Sequence, residues 1–267
     1  MTEEFAGLSA LVTGGGAGIG LATAKMLSAR GARVACLDLD VAAVGEPLIG
    51  VPGDVSDDAV ADAVAEAAGL LGGIDIVVNN AGVLSRGTIE DNDLAEWRRI
   101  FEVNVFGMVR VTRAALPWLR TSDNAAVVNT CSLGALVGLP GSVIYGASKG
   151  AVYSLTLSLA ADHLRDGIRV NCVVPAPVDT PWVRRVLDTV PDPQAALAVL
   201  AARQPIGRLI TADEVAAAIC YLAGPLAGAS TGTSITVDGG ARGIVVIDQS
   251  RLAAGPATAE HVSTSSD

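Results

Sequence analysis

Tyr145 and Lys149 stand four residues apart in Tyr145-Gly146-Ala147-Ser148-Lys149, and Ser132 lies thirteen residues before the tyrosine. On a helix, positions i and i+4 share one face, so the phenol and the ammonium project side by side. A free tyrosine has a pKa near ~10, and a lysine cation within about 4–6 Å favours its phenolate and lowers that value. A serine hydroxyl nearby can hold a carbonyl or carbinol oxygen against the phenol. Together the three can move a proton to or from an alcohol oxygen. Helices also carry such Tyr/Lys pairs by chance as solvated faces, so the reading needs support elsewhere in the chain.

The N-terminus supplies it. Leu8-Ser9-Ala10-Leu11-Val12-Thr13 is a short apolar run that reads as a buried strand. It enters Gly14-Gly15-Gly16-Ala17-Gly18-Ile19-Gly20 and then a helical pattern from Leu21. Strand, glycine loop and helix in that order cradle the pyrophosphate of a dinucleotide, because the helix N-terminus offers unpaired N–H groups. The spacing is Thr13-Gly14-x-x-x-Gly18-Ile19-Gly20 rather than G-x-G-x-x-G. A second strand, Arg33 to Leu37, ends at Asp38, whose carboxylate can accept from both ribose hydroxyls of the adenosine half. It would repel a 2′-phosphate, and no arginine or lysine stands in the loop or directly after Asp38 to offset that. The cofactor expected is therefore NAD. Asp38 as an N-cap is compatible with this, and Asp40 can share either role.

With these pieces in place, the chain resembles the short-chain dehydrogenase/reductase family over roughly residues 6–240. The matching motifs are the glycine loop, Asp54-Val55, Asn79-Asn80-Ala81-Gly82, Asn104, Ser132, Tyr145-x-x-x-Lys149 and Asn171-x-x-x-Pro175. The resemblance implies that Asp54 and Val55 flank the adenine and that Asn80, Ala81 and Gly82 run beside the cofactor. It implies a tetrad of Asn104, Ser132, Tyr145 and Lys149. In it Tyr145 is the acid/base, Ser132 orients the substrate oxygen, Lys149 binds the nicotinamide ribose and lowers the tyrosine pKa, and Asn104 holds a water linking Lys149 to solvent. Nicotinamide contacts fall on Pro175, Val178 and Thr180. The family's glycine after this proline is Ala176 here, which either keeps φ negative or strains the loop.

The elements that must position these groups form one α/β domain, a doubly wound parallel sheet of the Rossmann type. Strands are expected near 8–13, 33–37, 48–51, 74–78, 125–131, 168–174 and 233–237. Helices are expected near 18–30, 56–70, 93–119, 145–165, 181–201 and 211–223, with a short broken helix near 41–46. Residues 1–240 make the catalytic domain, and 241–267 a small, polar, partly flexible extension.

Hydrophobic residues make up 51% of the 267, and mean hydropathy is +0.48. The uncharged stretches 125–148 and 215–237 invite a membrane reading, but both split into separate elements, and buried parallel strands read as continuous apolar runs. The acidic start, Met1-Thr2-Glu3-Glu4-Phe5, has no apolar run of signal-peptide length, so a cytoplasmic protein is expected. A net charge of −10 argues against nucleic acid or an anionic membrane as partner. Cys36, Cys131, Cys172 and Cys220 read as buried thiols, and His163 and His261 lack ligand spacing, so no metal is expected.

Residues 181–210 should form a lid over the substrate. They carry Arg184, Arg185, Arg203 and Arg208 against Asp188 and Asp192, an excess of two positive charges that suits an anionic substrate. This segment resembles the branch of 2-keto-3-deoxy-L-fuconate dehydrogenase and the cytosolic hydroxybutyrate dehydrogenase-like enzymes. There the arginine matching Arg203 is implicated in holding a carboxylate, while a second arginine of the hydroxybutyrate-like members is replaced here by Ser142. The reading is an NAD-dependent interconversion of a secondary alcohol and a ketone, on a small hydroxy acid or sugar acid, in a homotetramer as is usual for the family. The alternatives are a 3-oxoacyl-[acyl-carrier-protein] reductase using NADPH and a non-catalytic dinucleotide-sensing module.

Overall fold

Short runs that are apolar at every position cannot leave either face in water, and they become the middle of a sheet covered on both sides. The computed structural model describes residues 3–246. The strands are β1 (Ser9–Thr13), β2 (Arg33–Asp38), β3 (Ile49–Pro52), β4 (Ile76–Asn79), β5 (Ala126–Thr130), β6 (Arg169–Pro175), β7 (Val178–Asp179), β8 (Ile210–Thr211) and β9 (Ser234–Val237). Seven of them form one sheet in the order β3-β2-β1-β4-β5-β6-β9, parallel at every pairing. Every residue of β1, β4 and β5 is buried.

The helices are α1 (Gly18–Ala29), α2 (Val60–Leu71), α3 (Leu94–Phe101), α4 (Gly107–Leu119), α5 (Val143–His163), α6 (Pro181–Leu187), α7 (Pro193–Ala202) and α8 (Ala212–Ala223). Alternate strand residues face opposite layers. Ala10, Val12 and Val78 pack with Leu27 of α1 and Ile219 of α8, whereas Leu11, Val77 and Val127 pack with Val64 of α2 and Val111 of α4. The doubly wound parallel sheet is thus the expected fold. Between β1 and β4 the strand order reverses, and ligands of such sheets sit in the crevice beyond the carboxyl ends of the strands at that point.

All seven expected strands are present, and the corrections lie elsewhere. Residues 41–46 form turns, not a helix. The expected helix 181–201 is two helices, because Asp192 accepts from Ala195 N–H at 2.9 Å as an N-cap and Pro193 opens a new helix where its missing N–H costs nothing. The expected helix 93–119 is interrupted by a π-helical turn, Glu102–Phe106. Strands β7 and β8 pair as a small parallel ladder that the sequence pattern did not reveal. The stretch 125–148 divides into β5, a turn at Ser132 and the start of α5, and 215–237 divides into α8 and β9. No helix among the described residues is long and apolar enough to cross a membrane. The expected tail beyond 246, with His261, lies outside the described residues.

Candidate active site

At the carboxyl end of β1 the chain turns away from the sheet through glycines that are there for room. Gly14 and Gly18 hold φ of +64° and +52°, which side chains resist. A Cβ on Gly20 would collide with the carbonyl oxygen of Gly14, so this glycine lets α1 lie against the strand end. The first turn of α1 has no side-chain cap and no acidic residue, since Ala17 occupies the N-cap. Its N–H groups and positive dipole end face the crevice unneutralised, as an anionic pyrophosphate requires. A Cβ on Gly18 would meet only Thr180, its Cγ2 at 3.4 Å and its Cβ at 3.5 Å, which places Thr180 across the mouth of this cradle. Ile19 packs partly into the core behind it.

Asp38 closes the far side. Its carboxylate accepts from Gly16 N–H at 2.8 Å and Asp40 N–H at 3.2 Å, which fixes the group at the loop and leaves acceptor capacity for hydroxyl donors. Asp54 is tied to Ser56 by backbone and hydroxyl bonds of 2.8 and 2.7 Å, and Val55 is buried beneath Gly107. On the other side of β1, Asn80 donates its side-chain amide to the carbonyls of Thr13 and Gly14 at 3.1 and 3.2 Å. Thr13 answers through its hydroxyl, which accepts from the backbone N–H groups of Asn80 and Ala81 at 3.0 and 3.1 Å. Thr13 therefore locks the two strand ends that flank the crevice. Sequence reasoning quoted it in the motif without giving it a role; the available signal was a hydroxyl ending an apolar strand.

The residues expected to form the tetrad come together. Lys149 is 3% exposed, donates Nζ to Thr130 O at 2.8 Å and lies 5.8 Å from the centroid of the Tyr145 ring. A Cβ on Gly82 would come within 3.3 Å of Asn104 Oδ1 and 3.5 Å of Lys149 Nζ, so all three meet at the end of β4. Ser132 caps the turn after β5, accepting from Gly134 N–H at 3.2 Å, and a Cβ on Gly134 would face both its Oγ and the Tyr145 ring. Asn104 sits in the π-helical turn, a feature frequent at functional sites. Its Oδ1 accepts from Val83 N–H at 2.8 Å, and its Nδ2 donates to Val83 O at 2.9 Å and Ser148 Oγ at 3.1 Å. Ser148, which the sequence reading passed over, donates in turn to Tyr145 O at 2.8 Å. It links the helix carrying Tyr145 to the one carrying Asn104.

The net pKa lowering expected for Tyr145 is not met: burial pushes the phenol above its ordinary value, while the Ser132 hydroxyl pulls it back in part. The ammonium faces the ring and spends a donor on Thr130 O, and burial brings its own pKa down to about 8.

Beyond β6, Pro175, Ala176, Pro177 and Val178 run above the sheet. No non-glycine residue among the described residues has positive φ, so Ala176 keeps φ negative without strain. Thr180 caps α6 by accepting from Val183 N–H at 3.3 Å. The excess charge of the lid is smaller than its sequence implied. Arg184 pairs with Asp179 and Arg208 with Glu214, acids just outside the segment. Arg185 and Arg203 are exposed, with no ion-pair partner among the described residues. All four cysteines are buried and free.

Comparison with known proteins agrees with this fold. The family profile described as Enoyl-(Acyl carrier protein) reductase matches residues 14–242. Cis-4-hydroxycyclohexanecarboxylate dehydrogenase of Sinomonas cyclohexanicum is 39% identical over 251 residues, covering 90% of this chain and 98% of its own. 2-(S)-hydroxypropyl-CoM dehydrogenase 3 of Xanthobacter autotrophicus is 37% identical over 243 residues, covering 86% and 94%. The structure of the aldohexose dehydrogenase of Thermoplasma acidophilum superposes with a TM-score of 0.87 at 31% identity, covering 92% of this chain and 98% of that one.

Proposed function

The chain belongs to the short-chain dehydrogenase/reductase family, and we propose that it interconverts a secondary alcohol and a ketone with NAD. It is an oxidoreductase of a family whose dehydrogenases use a nicotinamide dinucleotide. The observation that carries the alcohol chemistry is the meeting of the Tyr145 phenol, the Ser132 hydroxyl and the Lys149 ammonium beside the glycine cradle. The preference for NAD rests on Asp38, anchored by Gly16 and Asp40 with no cation in the loop.

When bound, the dinucleotide supplies the two-electron acceptor for the carbinol hydrogen. Gly14, Gly18, Ile19 and Gly20 would hold its pyrophosphate, Asp38, Asp54 and Val55 its adenosine half, and Asn80, Ala81, Gly82, Pro175, Val178 and Thr180 the rest. Ser132 orients the substrate oxygen toward Tyr145. The phenol gives a proton to a ketone oxygen in reduction and its phenolate takes one from the alcohol in oxidation. Lys149 holds positive charge about the forming phenolate and reaches the nicotinamide ribose. Asn104 spends its Nδ2 hydrogens on Val83 O and Ser148 Oγ, and its Oδ1, which accepts once from Val83 N–H, keeps a lone pair for a linking water.

The substrate class follows from the lid. Arg203 is an unpaired cation there, and one relative carries a hydroxy acid in its name, so a small hydroxy acid or sugar acid is the proposed substrate. The same lid would place the chain in the fuconate and hydroxybutyrate branch of the family. The test is a panel of hydroxy acids, sugar acids and neutral alcohols, with NAD and NADP reduction followed by absorbance. A clear preference for NADP would overturn the reading of Asp38 and favour a 3-oxoacyl reductase.

A further inference from the structure

Gln204 is an oddity of the lid. Arg203, Ile206, Gly207 and Arg208 around it are exposed, yet this polar side chain is 1% exposed. A tight turn from Gln204 to Gly207 holds it inward. Gly207 N–H donates to Gln204 O at 2.7 Å, and Ile206 N–H donates to Gly239 O at 3.0 Å, pinning the turn to the loop after β9. From there Gln204 Nε2 donates to Pro177 O at 3.2 Å, the same carbonyl that accepts from Ile210 N–H at 3.2 Å. Gln204 Oε1 is buried without a partner.

Pro177 has no N–H of its own, and its neighbour Ala176 is fixed by a bond to Val237 O at 3.1 Å. The carbonyl of Pro177 is therefore a second hold on the segment leading into Val178 and Thr180, beside the β7–β8 pairing that the Ile210 N–H begins. A glutamine with a solvent-free amide oxygen is a costly way to hold it if stability were the only gain, since an unmatched buried acceptor is unfavourable. We infer that Gln204 is a positioning residue that ties the lid to the Pro175–Thr180 loop and sets the fit of the nicotinamide half of the cofactor. This rests on reading that loop as part of the dinucleotide site.

The test compares Gln204→Met and Gln204→Glu with the wild-type protein by thermal melting and by titration with NAD and ADP-ribose, the latter lacking the nicotinamide. For Gln204→Met the melting temperature stays level or rises, because the orphan oxygen is gone. NAD binding weakens about three- to tenfold, the worth of one neutral hydrogen bond, and ADP-ribose binding stays as in wild type. Gln204→Glu donates to Pro177 O only when protonated, so the ratio of its NAD affinity to that of the wild type at the same pH falls as pH rises. Wild-type NAD affinity in Gln204→Met overturns the inference and leaves the dinucleotide site standing. Equal weakening of both ligands together with a lowered melting temperature overturns it as mere structural damage. Failure of wild type to bind either ligand ends both readings.

Discussion

A phenol held above its ordinary pKa and an ammonium brought down to about 8 lose their protons in the reverse of the order first expected, with lysine ahead of tyrosine. The phenol is then a ready donor at neutral pH, and alcohol oxidation must wait for the small phenolate fraction, which grows about tenfold per pH unit below its pKa. Alcohol oxidation should accordingly speed up with pH through the neutral range while ketone reduction stays level; a flat oxidation profile would count against Tyr145 as the base. Tyr145→Phe should keep dinucleotide binding near normal and lose most turnover. Lys149 also has a stability signature. Its folded pKa lies below the unfolded 10.5, so between about 8 and 10.5 the unfolded chain binds more protons and stability rises with pH. Below about 8 the buried cation costs its full amount, which at about 1.4 kcal/mol per unit comes to a few kcal/mol. Lys149→Met should therefore melt higher than wild type at neutral pH, with the gap closing across that window. A gap that does not change with pH would refute the burial account.

Among the elements, the β1–loop–α1 unit and the end of β2 beside it each concentrate their constraint in one residue. Gly20→Ala would drive a methyl group into the Gly14 carbonyl, and overpacking of this kind costs about 1–3 kcal/mol. The variant should melt lower and bind NAD more weakly, as calorimetry would read. Asp38→Ser removes the carboxylate that Gly16 and Asp40 hold, and its loss should weaken NAD by roughly 1.5–3 kcal/mol while relieving the repulsion of NADP. Unchanged preference between the two would discard the assigned role. This unit was legible in sequence because each of its steps is local: an apolar run, glycines, a helical period. The central strands were legible for the same reason, β1, β4 and β5 being buried at every position. The π-helical turn under Asn104 was not, since one extra residue in a helix leaves no mark on composition. The Asp192-Pro193 break carried its own signal, an N-cap followed by proline, which the long helical expectation passed over. The raised tyrosine pKa was hidden for a different reason. Spacing puts an ammonium near a phenol but says nothing of the burial that outweighs it.

The whole molecule carries a tension between charge and apolar surface. Phe106 in the π-helical turn, Leu157 in α5 and Leu164 just after it are exposed on the helices that cover one side of the sheet. A side chain of this kind gains about 1.5–3 kcal/mol when fully buried, and an interface with two-fold symmetry counts each one twice. A net charge of −10 opposes association at long range, and salt screens that repulsion over about 10 Å at 0.1 M. Self-association through these helices, to the homotetramer proposed for the chain, should therefore strengthen with salt. Most surface ion pairs would predict the opposite, because screening weakens them. Sedimentation of the wild type across a salt series should give the larger species at moderate ionic strength and smaller ones at low. Leu157→Lys puts an ammonium at an exposed apolar position of every copy and should shift the population toward smaller species while leaving the melting temperature near that of the wild type. A wild type that sediments as a monomer at every salt concentration would show that these helices meet solvent and not one another.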